Sequence, residues 1–464
     1  MIPCAAHLKV RSLLVVVLWT AVAFLLPAQS QLKSAAPPAK PGPIRFIDVT
    51  SRRGISLPQI TQAGLSLPVK IRSEEYSLEY ARRSLVPSMG GSIVIGDFDH
   101  DGRPDLYLIV PGGSNHLFQQ RANGTFIDVT EKARVSGTGA DLSGAFADFD
   151  KSGHPSLFVA GLGGVTLYHN NGDGSFADIT QKAGLKGNAG ELATSVLLFD
   201  ADNDGFLDLF VTVYTDLSVP PSKSSFTFPN DFAGANSRLY RNQHDGTFKE
   251  ITEAAGLTSN PGRTLKALVA DFNHNGQLDL LLLRDNKPPA LYRNQGRCVF
   301  EDKTWDAGAE NWKYAYVDAQ TSDFNHDGKI DVVLWSTIGN EVLVNQGSGT
   351  FKQDESLPLV YAANRSFGFH GMTADFNGDG YDDLLAVDDK GNWHFIVNHE
   401  GKFEEAPFAL TPETGFVFAS MAAVRLGGSK EIDLIGLTVD GRVKIYEEER
   451  PRDAAHAAHS KDAE

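Results

Sequence analysis

Short apolar segments alternate along most of the chain with clusters of aspartate, asparagine and glycine. Segments such as SIVIGDF, DLYLIV and NHLFQQ follow one another at intervals that suit short strands. One class of segment, including DLFVTV and DVVLW, is apolar at consecutive positions, which is typical of strands that are buried on both faces. The pattern therefore predicts an all-β chain whose sheets are covered by neighbouring sheets.

A nine-residue acidic segment repeats along this pattern. It first occurs as DFDHDGRPD and recurs as DFDKSGHPS, DADNDGFLD, DFNHNGQLD, DFNHDGKID and DFNGDGYDD, with a degenerate copy RLGGSKEID. The last residues of the seven copies lie at positions 105, 156, 208, 279, 331, 383 and 433. The spacing is close to 52 residues except for one interval of 71. Repetition at a fixed period of this length indicates a repeat architecture.

A second phrase recurs in phase between the acidic segments. It reads LFQQRANGTFIDVTEKARV at 117–135, with further copies at 167–185, 239–257 and 291–308 and weaker ones at 343–353 and 395–405. Asn-Gly and Asp-Gly pairs between apolar runs favour tight hairpin turns. Each period then holds four strands, and seven periods predict a seven-bladed β-propeller. Cys298 occupies the glycine position of its turn, so we expect an exposed thiol there.

The two ends of the repeat region predict how the ring closes. Residues 44–55 match a fourth strand but precede the first blade, whereas the seventh copy ends at its third strand, GRVKIY. We expect the N-terminal strand to complete the last blade and to remove exposed edges. The predicted propeller spans 44–449, between a Pro/Ala linker at 31–43 and a disordered polar tail at 450–464.

The N-terminus predicts export. Basic residues precede the unbroken apolar run Leu13–Leu26, and a small-x-small site follows at 28–30, so residues 1–30 are predicted to be a signal peptide. An uncleaved anchor is the alternative. We expect a secreted protein, extracellular or, in a bacterium, periplasmic or at the cell surface. The net charge of −16 argues against nucleic-acid binding, and its excess of carboxylates is compatible with bound divalent cations.

The acidic segments have the donor spacing of calcium loops. Positions 1, 3, 5 and 9 supply side-chain oxygens, position 7 supplies a carbonyl and glycine at position 6 permits a sharp turn. An EF-hand would need a glutamate at position 12, where the first copy has Leu108, and would need flanking helices. A nine-residue β-roll is excluded by the period. The simpler alternative is that such loops are only favourable turns.

Five loops keep the full pattern and predict about five structural Ca²⁺ sites. Their expected ligands are Asp97, Asp99, Asp101, Asp105, Asp200, Asp202, Asp204, Asp208, Asp271, Asn273, Asn275, Asp279, Asp323, Asn325, Asp327, Asp331, Asp375, Asn377, Asp379 and Asp383. The loops at Asp97 and Asp200 offer four carboxylates each and are expected to bind most strongly. The loop with Asp148 and Asp150 has serines at positions 5 and 9 and is expected to bind weakly or not at all.

With these loops and the LYRN…DGTF…DVT…AGL phrase, the chain resembles the FG-GAP/VCBS-repeat propellers, which include integrin α-subunit heads, and most closely the cartilage acidic protein (ASPIC/UnbV) branch. The resemblance covers about residues 44–446. That branch usually carries a C-terminal ASPIC/UnbV domain, which is not found in these residues. The resemblance implies calcium-stabilised propellers that serve adhesion or bind ligands or glycans. Some calcium-bearing propellers are polysaccharide lyases, so the fold alone does not decide the activity.

Strand order predicts where a ligand would bind. The acidic loops and Asp-Gly turns should share one face, and the long insertions 56–90 and 214–236 should lie on the other, which we call the insertion face. The candidate ligand-binding residues on that face are Tyr76, Tyr80, Arg82, Tyr214, Trp305, Trp312, Tyr314, Arg365 and Phe367. The alternative is that these aromatic residues pack the insertions onto the ring.

Loops on a rigid scaffold commonly carry function. We therefore expect a monomeric, non-catalytic binding or adhesion module for an extracellular glycan or protein, without a transmembrane span in the mature chain. The alternative is a carbohydrate-active enzyme, a lyase or hydrolase, in which Asp216, Asp231 or His370 could act as acid or base.

Overall fold

The protein is a seven-bladed β-propeller, as the repeat predicts. The computed structural model describes residues 44–57, 69–110, 112–185, 187–258, 261–308, 316–336, 340–354, 368–388, 390–411, 417–426 and 431–449. The predicted signal peptide, linker and tail lie outside these residues. The innermost strands of successive blades contact one another, and Phe418–Val424 of blade 7 contacts Ser92–Gly96 of blade 1, which closes the ring.

Blades 1 to 3 are four-stranded antiparallel sheets whose strands follow the chain from the axis outward. Blade 1 contains Ser92–Gly96, Asp105–Ile109, His116–Gln120 and Phe126–Asp128. Blade 2 contains Asp141–Ala147, Ser156–Gly161, Gly164–Asn170 and Phe176–Asp178. Blade 3 contains Glu191–Phe199, Asp208–Asp216, Arg238–Asn242 and Phe248–Glu250.

Blades 4 to 6 repeat the same order. Blade 4 contains Thr264–Ala270, Asp279–Arg284, Ala290–Asn294 and Phe300–Asp302. Blade 5 contains Tyr316–Ser322, Asp331–Ser336, Glu341–Asn345 and Phe351–Gln353. Blade 6 contains Gly371–Ala374, Asp383–Val387, Trp393–His399 and Lys402–Ala406.

Blade 7 is completed by the N-terminal strand, which confirms the predicted closure. It contains Phe418–Val424, Asp433–Thr438 and Val443–Glu448, and Ile44–Asp48 pairs antiparallel to the last of these. The sequence did not predict a fifth strand, Phe408–Thr411, which pairs parallel to Ile44–Asp48 and covers the outer edge. Outer edges of sheets are otherwise open to unwanted pairing.

The repeated Phe residues pack one blade against the next. Phe149, at position 2 of the acidic loop in blade 2, stacks on Phe248 of the fourth strand of blade 3, with ring centroids 5.3 Å apart. Phe272 and Phe351 make the equivalent contact between blades 4 and 5, at 5.6 Å. The Phe at position 2 of the acidic loop and the first Phe of the next blade's fourth strand therefore form the inter-blade contact at four junctions of the ring. Truncating such a buried ring costs about 3–5 kcal/mol.

The two long insertions join each other on one face of the ring. Val69–Arg72 pairs antiparallel with Ser225–Phe228, although about 150 residues separate them in the chain. The helices of the described residues are all short. Two follow fourth strands, at Thr50–Arg53 and Thr130–Ala133. Three belong to the first insertion: Leu78–Tyr80, the π-helix Ala81–Leu85 and the 3₁₀-helix Pro87–Met89. Within the described part of the chain, no helix has the length and hydrophobicity needed to span a membrane.

Candidate functional site

Each acidic loop is closed around the aspartate at its first position. In blade 1, Asp97 Oδ1 accepts a hydrogen bond from the Asp101 amide at 3.0 Å, and Asp97 Oδ2 accepts one from the Gly102 amide at 2.9 Å. Gly102 has φ +83°, as the turn requires, and His100 at position 4 also adopts a left-handed conformation, with φ +58°. The loop is thus shaped by hydrogen bonds from backbone amides to side-chain carboxylates, and Asp101 Oδ1 at position 5 accepts a further one from the Arg103 amide at 2.9 Å.

The aspartate at position 9 is buried and joins the acidic loop to the third strand through hydrogen bonds. In blade 1, Asp105 accepts hydrogen bonds from the Gln120 amide at 2.8 Å and from the Phe98 amide at 3.1 Å, and it is 0% exposed. Burial raises the pKa of Asp105 to about 8, and the nearby carboxylates Asp99 and Asp101 add to the increase. Burial likewise raises the pKa to about 7 in Asp208, Asp279, Asp331 and Asp383. A bound cation would favour the charged form of each group.

Two of the loops contain buried oxygens that lack a partner. Among the described residues, Asp97, Asp99 and Asp101 form one carboxylate cluster, and Asp200, Asp202 and Asp204 form another, with ligand atoms within 4.8 Å of one another in each. The Oδ1 atoms of Asp99 and Asp202 are buried and accept no hydrogen bond. Oxygen-only clusters of this kind suit Ca²⁺, so the residues present fit the ion that the spacing predicts.

Basic side chains balance part of the acidic charge. Arg241 Nη2 lies 2.6 Å from Asp202 Oδ2, and Arg103 contacts Asp101. In the loop that begins at Asp323, Lys329 Nζ lies 2.7 Å from Asp327 Oδ2. These contacts leave the buried Oδ1 atoms of the two four-carboxylate loops unsatisfied. Unsatisfied buried acceptors cost about 1–3 kcal/mol each, so a cation there would stabilise the fold.

The loop of blade 2 keeps its shape with fewer carboxylates. Asp148 still accepts hydrogen bonds from the Ser152 and Gly153 amides, at 2.9 and 3.0 Å. At position 9, Ser156 Oγ accepts the Asn170 amide at 3.1 Å and so replaces the usual aspartate. His169 lies 2.8 Å from Asp150. This loop therefore needs no cation to satisfy its buried groups.

In blades 2, 3 and 5, the residue at position 4 of the acidic loop contacts the loop of the next blade. The ring of His326 stacks on Tyr381 of blade 6, with centroids 4.0 Å apart, and Lys151 Nζ lies 3.7 Å from the centroid of the Phe206 ring in blade 3. Asn203 Nδ2 donates to the Gly276 carbonyl at 3.0 Å. These side chains link one acidic loop to the next.

An asparagine at the end of the third strand links neighbouring blades, and the sequence reasoning assigned it no role. Asn294 Nδ2 donates to the Ala201 carbonyl of the preceding blade at 2.8 Å, and Asn294 Oδ1 accepts the Gly296 amide at 2.8 Å. The equivalent residues in blades 2, 3, 5 and 6 are Asn170, Asn242, Asn345 and Asn398. The recurring final Asn of LYHN, LYRN and LVN was the available signal.

The insertion face carries an axial cavity that the sequence did not predict. It has a volume of about 120 Å³. It is lined by residues of the first strands of blades 2 to 7 and by a residue next to the first strand of blade 1, and Met89 of the insertion lies at its edge. The polar lining includes Thr194, Ser195 and the ion pair of Lys266 with Asp318. Because first strands run from the insertion face towards the acidic loops, this cavity opens away from the candidate metal sites.

Most of the described candidate aromatics pack the insertions onto the ring. Tyr214 is fully buried, and its hydroxyl donates to Asp285, so its ring offers no surface to a ligand. Tyr76 donates its hydroxyl to the Leu217 carbonyl at 2.5 Å and packs edge-on against Phe226. Tyr80 packs against the hydrophobic cluster that contains Tyr214 and Phe226, and Arg82 is only partly exposed.

Trp305 alone among the described aromatic candidates is largely exposed, at 73%. The remaining candidates lie outside the described residues; they are Trp312, Tyr314, Arg365 and Phe367.

The expectation of an exposed thiol at Cys298 was wrong. The side chain is 3% exposed, and its Sγ lies 3.7 Å from Asp208 Oδ2 in the preceding blade. The turn folds inward onto the neighbouring acidic loop rather than into solvent. Burial raises the pKa of the thiol far above its usual value, and the neighbouring carboxylates Asp208 and Asp202 raise it further.

Comparison with known families agrees with this geometry. A model of the FG-GAP-like repeat matches residues 97–159, 148–211 and 230–282, which contain the first four acidic loops. Over these residues the chain carries FG-GAP-like repeats. The first two matched spans each run from one acidic loop through the next into the second strand of the following blade, and the third contains the acidic loop of blade 4.

Curated relatives of this FG-GAP propeller are named cartilage acidic protein 1. The protein of Xenopus tropicalis is 26% identical over 195 residues, which is 42% of this chain and 28% of the relative. The Homo sapiens protein is 25% identical over 213 residues, covering 45% of this chain and 30% of the relative. This chain thus spans under a third of the length of these relatives.

A solved lectin structure shares the fold. The BP39L lectin of Burkholderia pseudomallei is 12% identical, with a TM-score of 0.54 over 78% of this chain and 96% of that chain. A lectin of Agrocybe aegerita that recognises non-reducing terminal N-acetylglucosamine is 20% identical over 68% of this chain and 79% of that chain, with a TM-score of 0.44. At these identities the likeness to BP39L concerns the fold alone.

Proposed function

We propose that this chain is a secreted FG-GAP propeller that binds an extracellular glycan or protein on its insertion face and is stabilised by Ca²⁺ on the opposite face. The axial cavity carries the proposal, because the innermost part of every blade contributes to it and the first insertion reaches its edge. The N-terminal apolar run supports export, since the mature propeller would then meet its ligand outside the cell.

The calcium part rests on the loops at Asp97 and Asp200. Each has a carboxylate cluster, and each has a buried oxygen at position 3 that lacks a donor. Because the loops join the first two strands of a blade, a bound ion would fix the inner strands against each other. Cys298 is buried among the described residues and cross-links nothing, so these ions would supply rigidity that disulfides supply in many secreted proteins.

The size of the cavity indicates how much of a ligand it can accept. A volume of about 120 Å³ is room for several water molecules. It therefore suits the end of a ligand, such as one sugar unit or one peptide side chain. Lys266 and Asp318 would supply charged hydrogen-bonding groups, and Met421 and Leu142 would supply an apolar wall. BP39L, which shares the fold, is a lectin.

A glycan and extracellular-protein array tests the proposal. The full chain should retain one ligand class in the presence of Ca²⁺, and Lys266→Gln should weaken that binding by at least about tenfold, which is about 1.4 kcal/mol. Lys132→Ala, on the acidic-loop side, is the matched control and should bind normally. Retention that is unchanged in Lys266→Gln would contradict the cavity as the site. Release of cleaved product from a polysaccharide would instead support the enzyme alternative.

A further inference from the structure

Cys298 brings a thiol to the acidic loop of blade 3 from the hairpin turn of blade 4. The equivalent residues of other turns are glycines, Gly124, Gly174, Gly246 and Gly349, with φ between +68° and +82°. Cys298 adopts the same left-handed backbone, with φ +58°. For a residue other than glycine this conformation costs about 1–2 kcal/mol. The backbone conformation of this turn therefore does not favour cysteine over glycine.

The Cys298 thiol lies close to two carboxylates, at the distances that separate the ligand atoms of a single metal ion. Ligand atoms of Asp202, Asp208 and Cys298 all lie within 4.8 Å of one another. Cys298 Sγ is 3.7 Å from Asp208 Oδ2. In a tetrahedral zinc site, a sulfur at about 2.3 Å and an oxygen at about 2.0 Å from the ion lie about 3.5 Å apart. Small side-chain shifts would therefore bring the three groups onto one ion.

The carboxylate of Asp202 is an independent observation that points to a cation at this position. Its side chain is 6% exposed, and its Oδ2 is held by Arg241 at 2.6 Å. Its Oδ1 is buried and has no hydrogen-bond partner. Asp202 belongs both to the cluster with Cys298 and to the all-carboxylate cluster with Asp200 and Asp204. An ion beside Asp202 would occupy the space that these two clusters share.

We propose that the loop of blade 3 and Cys298 form an inter-blade site for Zn²⁺, with Cys298 Sγ, Asp202 and Asp208 as ligands. Thiolates favour zinc, whereas calcium is bound by oxygen ligands, so Zn²⁺ would occupy this loop in place of Ca²⁺, and the loop at Asp97 would then be the strongest calcium site. On binding, the Cys298 thiol releases its proton to solvent as the sulfur–zinc bond forms, and Asp208 loses the contact with that proton. The ion would join blades 3 and 4 directly.

A titration with Co²⁺ as the spectroscopic probe tests the site. The full chain, stripped of metal, should develop a near-ultraviolet thiolate-to-cobalt charge-transfer band that saturates at one equivalent. Zn²⁺ should displace the band, and excess Ca²⁺ should not. Cys298→Gly should abolish the band and, because the turn favours glycine, should not lower the melting temperature of the metal-free protein. Cys298→Ser should abolish it as well.

Matched carboxylate variants locate the ion. Asp202→Asn should weaken Co²⁺ binding about tenfold or more, whereas Asp99→Asn, at the same position of a loop without a thiol, should leave the band unchanged. Absence of the band, or its persistence in Cys298→Gly, would overturn the proposal. The result is separate from calcium binding, because a calcium-dependent rise in melting temperature in Cys298→Gly tests the remaining loops without the thiol.

Discussion

Asn170 of blade 2 donates its side-chain amide to the Phe98 carbonyl of blade 1, and the two atoms are 2.8 Å apart. The same amide reaches the Pro155 carbonyl at 3.0 Å, and Asn170 Oδ1 accepts the Gly172 amide at 3.0 Å. One buried side chain therefore satisfies two backbone carbonyls in different blades and one turn amide. Five blades repeat this link to the blade before them.

We expect Asn170→Ala to lower the free energy of unfolding by about 2–4 kcal/mol, because it leaves several buried backbone groups without partners. Chemical denaturation followed by tryptophan fluorescence measures this. Asn171→Ala is the control: the neighbouring asparagine is exposed and bonds only to Ser175, so the loss should stay below about 0.5 kcal/mol. Equal losses in the two variants would show that the inter-blade link contributes little.

Calcium should raise the melting temperature in proportion to the logarithm of its free concentration, because it would bind the folded state alone. At 100 times the dissociation constant, each occupied site adds about 2.7 kcal/mol. Asp99→Ala should remove one equivalent from the stoichiometry measured by calorimetric titration. Asp150→Ala, at the same position of the blade 2 loop, should remove none. A melting temperature that chelator leaves unchanged would contradict calcium binding by the loops.

The sequence predicted the ring because its signals are local and repeated. Strand-forming runs, Asp-Gly turns and the position 6 glycine each fix a nearby backbone shape, and residues 44–48 resemble a fourth strand closely enough to predict closure. Their repetition in seven periods turned weak local preferences into a defined architecture. The strand Phe408–Thr411 was missed because it adds parallel to a finished blade and belongs to no repeat.

The features that were missed depend on contacts between distant parts of the chain. The pairing of Val69–Arg72 with Ser225–Phe228 arises within insertions that have no counterpart in other blades. The axial cavity depends on which side chains of six inner strands meet, and alternation along one strand does not reveal this. The exposure of Cys298 was predicted from its own turn alone, whereas the loop of the preceding blade buries its side chain.

Asp433 of blade 7 should make stability depend on pH without any metal. Its loop, RLGGSKEID, lacks the other aspartates, and Asp433 is 4% exposed and accepts the Leu426 amide at 2.8 Å. Burial raises its pKa from 3.8 to about 7, and Glu447 adds to the increase. Because the folded pKa is the higher one, the folded state binds this proton more tightly. The stabilising contribution is complete below about pH 4 and is lost as the pH rises towards 7.

We expect Asp433→Asn to flatten this part of the pH profile, by up to about 1.4 kcal/mol per pH unit, and to be more stable than the parent at pH 8. The measurement is denaturant unfolding in chelator between pH 4 and 8. Glu253→Gln changes an exposed carboxylate and should reproduce the parent profile. If Asp433→Asn keeps the parent slope, the carboxyl is ionised in the folded state at a lower pH than its burial implies.

Variants of the ion pair between Lys266 and Asp318 should show whether the pair serves ligand binding in addition to stability. The two side chains are 12% and 28% exposed at the axial cavity. Removing one partner leaves a half-buried charge, so Lys266→Met should lower the free energy of unfolding by about 1–3 kcal/mol once solvent screening is allowed for. The double variant Lys266→Met/Asp318→Leu should recover most of that loss, because replacing both charges removes the desolvation cost as well. Array binding should be absent in both variants. A double variant that regains stability and still binds ligand would show that the pair serves the fold alone, and would move the binding site away from the cavity.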